Sequence, residues 1–225
     1  MINKLKTLPD FDLPSAEIIK IENLYSAYGD EAQLFIQNET GAILLLLDGG
    51  VIIHGDINAT EVKQFLSFIN PASVFSSADN LKAIYGNGNF EEVNTIICEK
   101  PSSAPAGAFT YDPKSREIYD ILSVDEFNLP PYEYFATDYC LRKNRGLIKV
   151  FAKSNTCAAI TLESEKYRLL GGIATKQKGL GGALLLAAVS GKKPVLAVCR
   201  DELLPFYTKF GFKPLYKSGY WRKQV

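Results

Sequence analysis

The residues of this sequence best suited to binding an anion lie in a glycine-rich turn. Lys176, Gln177, Lys178, Gly179, Leu180, Gly181 and Gly182 join a strand-like segment to the strongly helical run 183–189. The first backbone N–H groups of a helix have no intrahelical partner and attract negative charge. Glycines let a phosphate approach these groups, and two lysines add positive charge. The turn predicts a phosphate site, although a plain connection fits the same pattern.

Two familiar phosphate motifs do not match this turn. A P-loop needs lysine and then serine or threonine after its glycines, whereas Gly182 is followed by Ala183. A dinucleotide fingerprint needs a third glycine at the position of Leu184. Neither a P-loop nucleotide site nor a dinucleotide site is therefore predicted.

Two segments in order resemble the GNAT superfamily of acyl-CoA-dependent N-acyltransferases. Residues 176–181 are similar to its cofactor motif Arg/Gln-x-x-Gly-x-Gly/Ala, with lysine at the first position. Residues 207–212, Tyr-Thr-Lys-Phe-Gly-Phe, resemble its second signature, Tyr-x-x-x-Gly-Phe, and follow the apolar run Val195–Val198. The resemblance covers roughly Leu147 to Trp221. The turn is shorter than in many relatives, and Arg200 stands where the family often has asparagine.

The resemblance implies a site for acetyl-CoA as cosubstrate, with no metal. Its pantetheine arm would meet the backbone of Ile173, Ala174 and Thr175, its diphosphate would meet residues 176–182, and Arg200 and Tyr207 would complete the contacts. Tyr207 would be the acid that protonates the departing thiolate, or else an aromatic packing residue. Glu163 would relay a proton from the amine, although it and Glu165 also fit solvated residues of a hairpin turn.

The element order predicts an α+β fold with mainly antiparallel sheet and flanking helices. A GNAT-like acyl-CoA-binding lobe would span residues 111–225, with strands at 147–152, 156–162 and 167–174. A smaller, degenerate GNAT-like lobe would span residues 1–110, with helices at 16–27, 58–69 and 78–85 and a hairpin turning at 48–50. Gly171-Gly172 predicts a bulge or a close backbone approach inside a strand.

Charge and composition narrow the possible partners. Residues 1–140 hold 8 Lys and Arg against 21 Asp and Glu, whereas residues 141–225 hold 17 against 4. A basic C-terminal part suits CoA, which carries several phosphates. It also suits nucleic acid, but no nucleic-acid motif accompanies the charge. The scattered Cys98, Cys140, Cys157 and Cys199 predict no zinc or redox motif.

The remaining expectations concern location, chemistry and partners. The N-terminal residues form no signal peptide and no apolar run is long enough to span a bilayer, so we expect a cytoplasmic protein with no membrane partner. His54, the sole histidine, fits a half-buried strand position. The sequence predicts N-acetyl transfer to a primary amine of a small molecule or peptide. The alternative is a non-catalytic CoA-binding sensor or assembly protein, and a homodimer stays open.

Overall fold

The computed structural model of the protein describes residues 1–11, 13–100, 109, 113–123, 129–153 and 156–224. Backbone contacts group the chain into two compact units. The first comprises Met1–Ile96, Val198–Leu204 and Pro214–Val225, and the second comprises Ile97–Ala197 and Pro205–Lys213. Both units are discontinuous. A single lobe boundary near residue 110 does not anticipate that the segment after residue 213 groups with the first unit.

The first unit contains a mainly antiparallel sheet with the strand order β1-β2-β3-β4-β5-β11-β6. Strands β1 to β4 pair antiparallel in sequence, β4 and β5 pair parallel, and β11 pairs antiparallel with β5. The strands are β1 (Ile2–Leu5), β2 (Gln33–Gln37), β3 (Ile43–Leu47), β4 (Gly50–His54), β5 (Ser73–Ser77), β6 (Glu91–Cys98) and β11 (Lys213–Arg222).

Three helices pack with these strands, and each begins at a capping side chain. They are α1 (Ala16–Tyr28), α2 (Ala59–Ile69) and α3 (Ala78–Tyr85). The N-caps Ser15, Asn58 and Ser77 each accept a hydrogen bond from a backbone N–H of the first turn, which satisfies a donor that the helix leaves unpaired. A core forms between helices and sheet from eight buried residues: Leu44, Val51, Ile53, Val62, Leu66, Val74, Leu81 and Ile84.

The second unit contains the strand order β10-β9-β8-β7. Strands β7 (Ile148–Lys153), β8 (Cys157–Glu163) and β9 (Arg168–Thr175) pair antiparallel, and β10 (Val195–Cys199) pairs parallel with β9. The helices are α4 (Ser115–Leu122), α5 (Tyr132–Asn144), α6 (Gly181–Val189) and α7 (Leu204–Thr208). Helix α6 is apolar almost all round and packs on β7, β8 and β9, with Leu184 and Leu185 completely buried.

The predicted fold class is confirmed, because helices flank mainly antiparallel sheet throughout the described residues. Six predicted elements are confirmed, with most of their ends within one or two residues of the predicted ones. They are the helices 16–27, 58–69 and 78–85 and the three antiparallel strands of the second unit. Strands β1 and β11 were not predicted. The sequence also predicts helical segments at 117–122, 124–135 and 138–143 before the antiparallel strands, and residues 124–128 of them lie outside the described residues. Among the described helices, none is both long and apolar enough to cross a bilayer.

Candidate functional site

Strands β9 and β10 separate part-way along their length. Their parallel pairing joins Arg168–Leu170 to Val195–Ala197 and ends there. Strand β9 continues for five more residues, and its pairing with β8 continues to the last of them, Thr175 opposite Cys157. One edge of the segment 171–175 is therefore not bonded to β10. Its backbone can hydrogen-bond to a ligand in the opening.

A bulge lies where the two strands begin to separate. Thr161 faces Leu170 and Ile160 faces Gly172, so Gly171 is an extra residue on β9. The bulge predicted from the glycine pair is confirmed. A Cβ at position 171 would lie 3.6 Å from the carbonyl oxygen of Ile160, an ordinary contact. Space alone does not require glycine here, and the bulge redirects β9 at the start of the opening.

The lysine-containing turn leads from the end of β9 into α6. The Lys176 N–H donates to the Thr156 carbonyl at 2.7 Å, and the Thr175 hydroxyl donates to the Gln177 carbonyl at 2.7 Å. Gly179 has a φ of 88°, which favours glycine. Lys176, Gln177, Lys178 and Gly179 are all exposed. The turn is thus fixed at its start by hydrogen bonds and presents both lysines to solvent.

The first turn of α6 presents free backbone donors beside this turn. Its first helical hydrogen bond runs from the Leu184 N–H to the Leu180 carbonyl, and no side chain caps the helix. The N–H groups of residues 181–183 therefore have no intrahelical acceptor, and the helix dipole adds partial positive charge there. This nine-residue helix starts at the end of the strand edge left open by β10.

The two glycines that begin α6 have different surroundings. A Cβ on Gly182 would lie 2.7 Å from Cζ of Phe210, a distance that forces a shift. A Cβ on Gly181 would meet Phe206 and Thr175 only at 3.8 Å. Packing against Phe210 thus explains Gly182 without a ligand, whereas no neighbour requires glycine at 181. The predicted part of both residues in binding a diphosphate stays a prediction.

Tyr207 lies in an aromatic cluster at the end of α7. It is 5 % exposed, and its ring meets Phe206 and Phe212 edge to face at centroid distances of 5.3 and 5.4 Å. Its carbonyl accepts the N–H of Phe210 at 2.9 Å and that of Phe212 at 3.3 Å, which closes the helix end. The ring thus packs among aromatic side chains, and the predicted role of Tyr207 as an acid stays a prediction.

Arg168 is a buried residue whose role no sequence pattern indicated. It is 3 % exposed and donates to the carbonyls of Ala188, Val189 and Lys193 at 3.2, 2.9 and 3.3 Å. Burial lowers the pKa of its guanidinium, and the charge of Glu163 opposes that shift. Its charge lies at the negative end of the helix dipole. The side chain therefore fixes the C-terminal end of α6, whose other end adjoins the lysine turn.

Two other predicted site residues are held by neighbours. Glu163 pairs with Arg168 in the sheet register. Arg168 is the first residue of β9, whereas the open segment ends at its last residue, Thr175. Its carboxylate accepts from the Thr161 hydroxyl at 3.1 Å and lies 3.4 Å from Nζ of Lys149. Between Arg168 and Gly171, where the open segment begins, the strand advances roughly 10 Å at about 3.3 Å per residue, so Glu163 lies well back from the opening.

Arg200 belongs to the first unit, where it forms an ion pair. Its Nε donates at 3.0 Å to the carboxylate of Glu91, which Arg222 contacts at 3.2 Å. The structure brings residues 173–182 together in one unit. Arg200 is not among these residues and pairs with Glu91 instead. Its predicted contact to a cofactor stays a prediction.

No family model matches the sequence, and no curated protein matches it. Solved structures do. A GCN5-related N-acetyltransferase from Sphaerobacter thermophilus is 14 % identical with a TM-score of 0.55, covering 87 % of this chain and 81 % of its own. The chain has the GNAT fold. A tandem GNAT protein from the clavulanic acid biosynthesis pathway is 11 % identical with a TM-score of 0.53, covering 92 % and 93 %.

A further neighbour comes from Pyrococcus horikoshii and is described as a candidate acetyltransferase. It is 10 % identical with a TM-score of 0.57, covering 92 % of this chain and 79 % of its own. At such identities the similarity establishes the fold alone. The tandem neighbour is consistent with the expected two-lobed GNAT arrangement.

Proposed function

We propose that this protein is an acyltransferase that binds acetyl-CoA in its second unit and transfers the acetyl group to a primary amine of a small molecule or peptide. One observation carries the proposal: the open edge of β9 leads through the lysine-containing turn into the uncapped first turn of α6. An extended amide-containing arm can pair with such an edge, and a diphosphate can accept from such a turn. The GNAT fold of the chain supports this use.

Substitutions at Gly181 test the cofactor site. A Cβ there meets only ordinary contacts, so Gly181→Ala should fold and bind CoA with nearly unchanged affinity. Gly181→Glu adds negative charge where the diphosphate would lie, and we expect binding to fall below detection in isothermal titration calorimetry. Equal affinity in both variants would show that CoA does not use this turn.

Lysine substitutions provide a matched test of charge. Lys178 in the turn and Lys192 after α6 are both exposed, so replacing either by glutamine removes one positive charge. We expect Lys178→Gln to weaken CoA binding by a few-fold, since an exposed charge contact contributes roughly 0.2–1 kcal/mol. Lys192→Gln should bind as the wild type does. Equal effects would indicate only long-range attraction.

Thiol release from acetyl-CoA with a panel of amines tests the chemistry. If Tyr207 is the general acid, Tyr207→Phe should lower kcat by roughly 100-fold or more with CoA affinity unchanged, because general acid catalysis typically contributes 10²–10⁴-fold. Circular dichroism serves as the control for whether the variant is folded. Unchanged kcat would leave Tyr207 as a packing residue.

A CoA-binding protein without catalysis is the second candidate. The observation that favours it is the setting of Glu163, whose carboxylate is engaged by Thr161 and Lys149 and lies well back from the opening. This candidate predicts calorimetric binding of CoA with no thiol release for any amine tested. Turnover with one amine would exclude it.

A further inference from the structure

The first unit contains a buried hydrogen-bonded network that the proposed acyl transfer does not use. At its centre is Glu17, in the first turn of α1 and 2 % exposed. One carboxylate oxygen accepts from the Ser15 hydroxyl at 2.8 Å and from the Tyr216 hydroxyl, and the other accepts from Ser218 at 3.1 Å. We call Ser15, Glu17, His54, Tyr216 and Ser218 the Glu17 network.

The network joins α1 to two strands, to β4 through His54 and to β11 through Tyr216 and Ser218. Ser15 and Glu17 begin α1, whereas Tyr216 and Ser218 lie on β11 two residues apart and so project from one face of that strand. Tyr220, two residues further on, accepts from the Lys20 ammonium of α1 at 2.9 Å. The Tyr216 hydroxyl also accepts the Ala16 N–H at 3.0 Å. Polar side chains thus tie the start of α1 to β11.

The hydrogen-bond geometry determines which nitrogen of His54 carries a proton. The Ser15 oxygen lies 3.1 Å from Nδ1 of His54 and also accepts the Ile18 N–H. A serine hydroxyl has a single proton, and here it is donated to Glu17. Nδ1 must therefore donate to Ser15. In the neutral ring Nε2 is then the unprotonated nitrogen, so acidification adds the proton there.

Two carboxylates act electrostatically on this half-buried ring. Glu17 approaches it from α1 and Asp56 from the segment after β4, while the edge-to-face ring of Phe11 is apolar. Tyr216 of β11 reaches the ring only through Glu17 and Ser15. Burial lowers the pKa of His54 below 6.5, and the charges of Glu17 and Asp56 oppose the shift without cancelling it.

We propose that the Glu17 network is a proton-sensitive tie of α1 to β4 and β11, with Nε2 of His54, on β4, as the atom that takes up the proton. A histidine that binds protons less well when folded makes stability fall with acidification. That stability is fully present above the unfolded pKa near 6.5 and is lost as pH falls through the folded pKa. His54 is the sole histidine, and no other ordinary side chain titrates in this range.

The first experiment is an NMR titration of the imidazole, which gives one set of ring signals because there is one histidine. We expect the Nδ1–H tautomer at neutral pH and a pKa below 6.5. Glu17→Gln should lower the pKa further, and Asp56→Asn should lower it by less, because Glu17 is the stronger of the two influences. An Nε2–H tautomer, or no response to Glu17→Gln, would overturn the proposal.

The second experiment measures how pH changes the stability of the protein and the local opening of the elements that the network joins. Asparagine at position 54 can replace the Nδ1–H donor with an amide that does not titrate. The urea midpoint of the wild type should fall between about pH 7.5 and about pH 5.5, and that of His54→Asn should change much less. Over the same range, amide exchange corrected for its intrinsic pH dependence should quicken in the first turn of α1, at the end of β4 and in β11 more than in β2. Equal pH dependence in the two proteins would refute the proposal.

Discussion

Replacing Arg168 by methionine should destabilise the second unit by loosening the C-terminal end of α6. The guanidinium donates to three carbonyls, those of Ala188, Val189 and Lys193. Methionine keeps the apolar part of the side chain but supplies no donor. The three carbonyls would then lose their buried partner.

The expected loss in the free energy of unfolding follows from two opposing contributions. A hydrogen bond from a charged donor contributes roughly 1.5–3 kcal/mol, so three of them set an upper range. Removing a buried charge also removes its desolvation cost, which is several kcal/mol in real proteins. We expect a net loss of about 3 kcal/mol, which for a chain of this length lowers Tm by roughly 6–12 °C.

Urea unfolding followed by circular dichroism measures this loss, and amide exchange locates it. Exchange should quicken most at the last turn of α6 and around residue 193. Lys192→Met is the matched control, because it removes an exposed cation near the same helix end and should change stability by less than about 0.5 kcal/mol. If Arg168→Met cost no more than this control, the three hydrogen bonds would contribute nothing net and the reasoning would be wrong.

Three further substitutions test local packing and capping by urea unfolding. Gly219→Ala should cost about 1–3 kcal/mol because a Cβ would lie 2.6 Å from Phe90; a neutral result would contradict the close packing. Gly182→Ala should destabilise through its 2.7 Å contact with Phe210, and Phe210→Leu in the same chain should recover stability if that contact is the cause. Asn58→Ala should cost about 1 kcal/mol by removing the N-cap of α2, whereas Asn58→Ser should retain most of it.

Local signals account for the elements that the sequence predicted correctly. Asn58 caps α2 as its position before an apolar helical pattern indicates, and the Asp48-Gly49 turn has positive φ at both residues. The glycine pair at 171–172 marked a bulge in β9. Each of these features depends on a few neighbouring residues, so the amino-acid sequence alone is enough to recognise it.

Non-local features were not predictable in the same way. Strand β11 has no strong alternation of apolar residues, and its place beside β5 is set by pairing with Ser73–Ser77, far away in sequence. The role of Arg168 likewise depends on three carbonyls about 20 to 25 residues further on. The open edge of β9 required knowing where its register with β10 ends. A single sequence shows none of these distances.

The position of β11 between β5 and β6 has a consequence for the order of folding. During synthesis β5 and β6 emerge early, whereas the strand that lies between them follows only after the whole segment 97–197. Until then these two strands present unpaired backbone edges, which invite association with other chains. Closing the gap also requires a contact of long sequence separation, which slows folding. The first unit should therefore be completed last, although most of its residues are translated first.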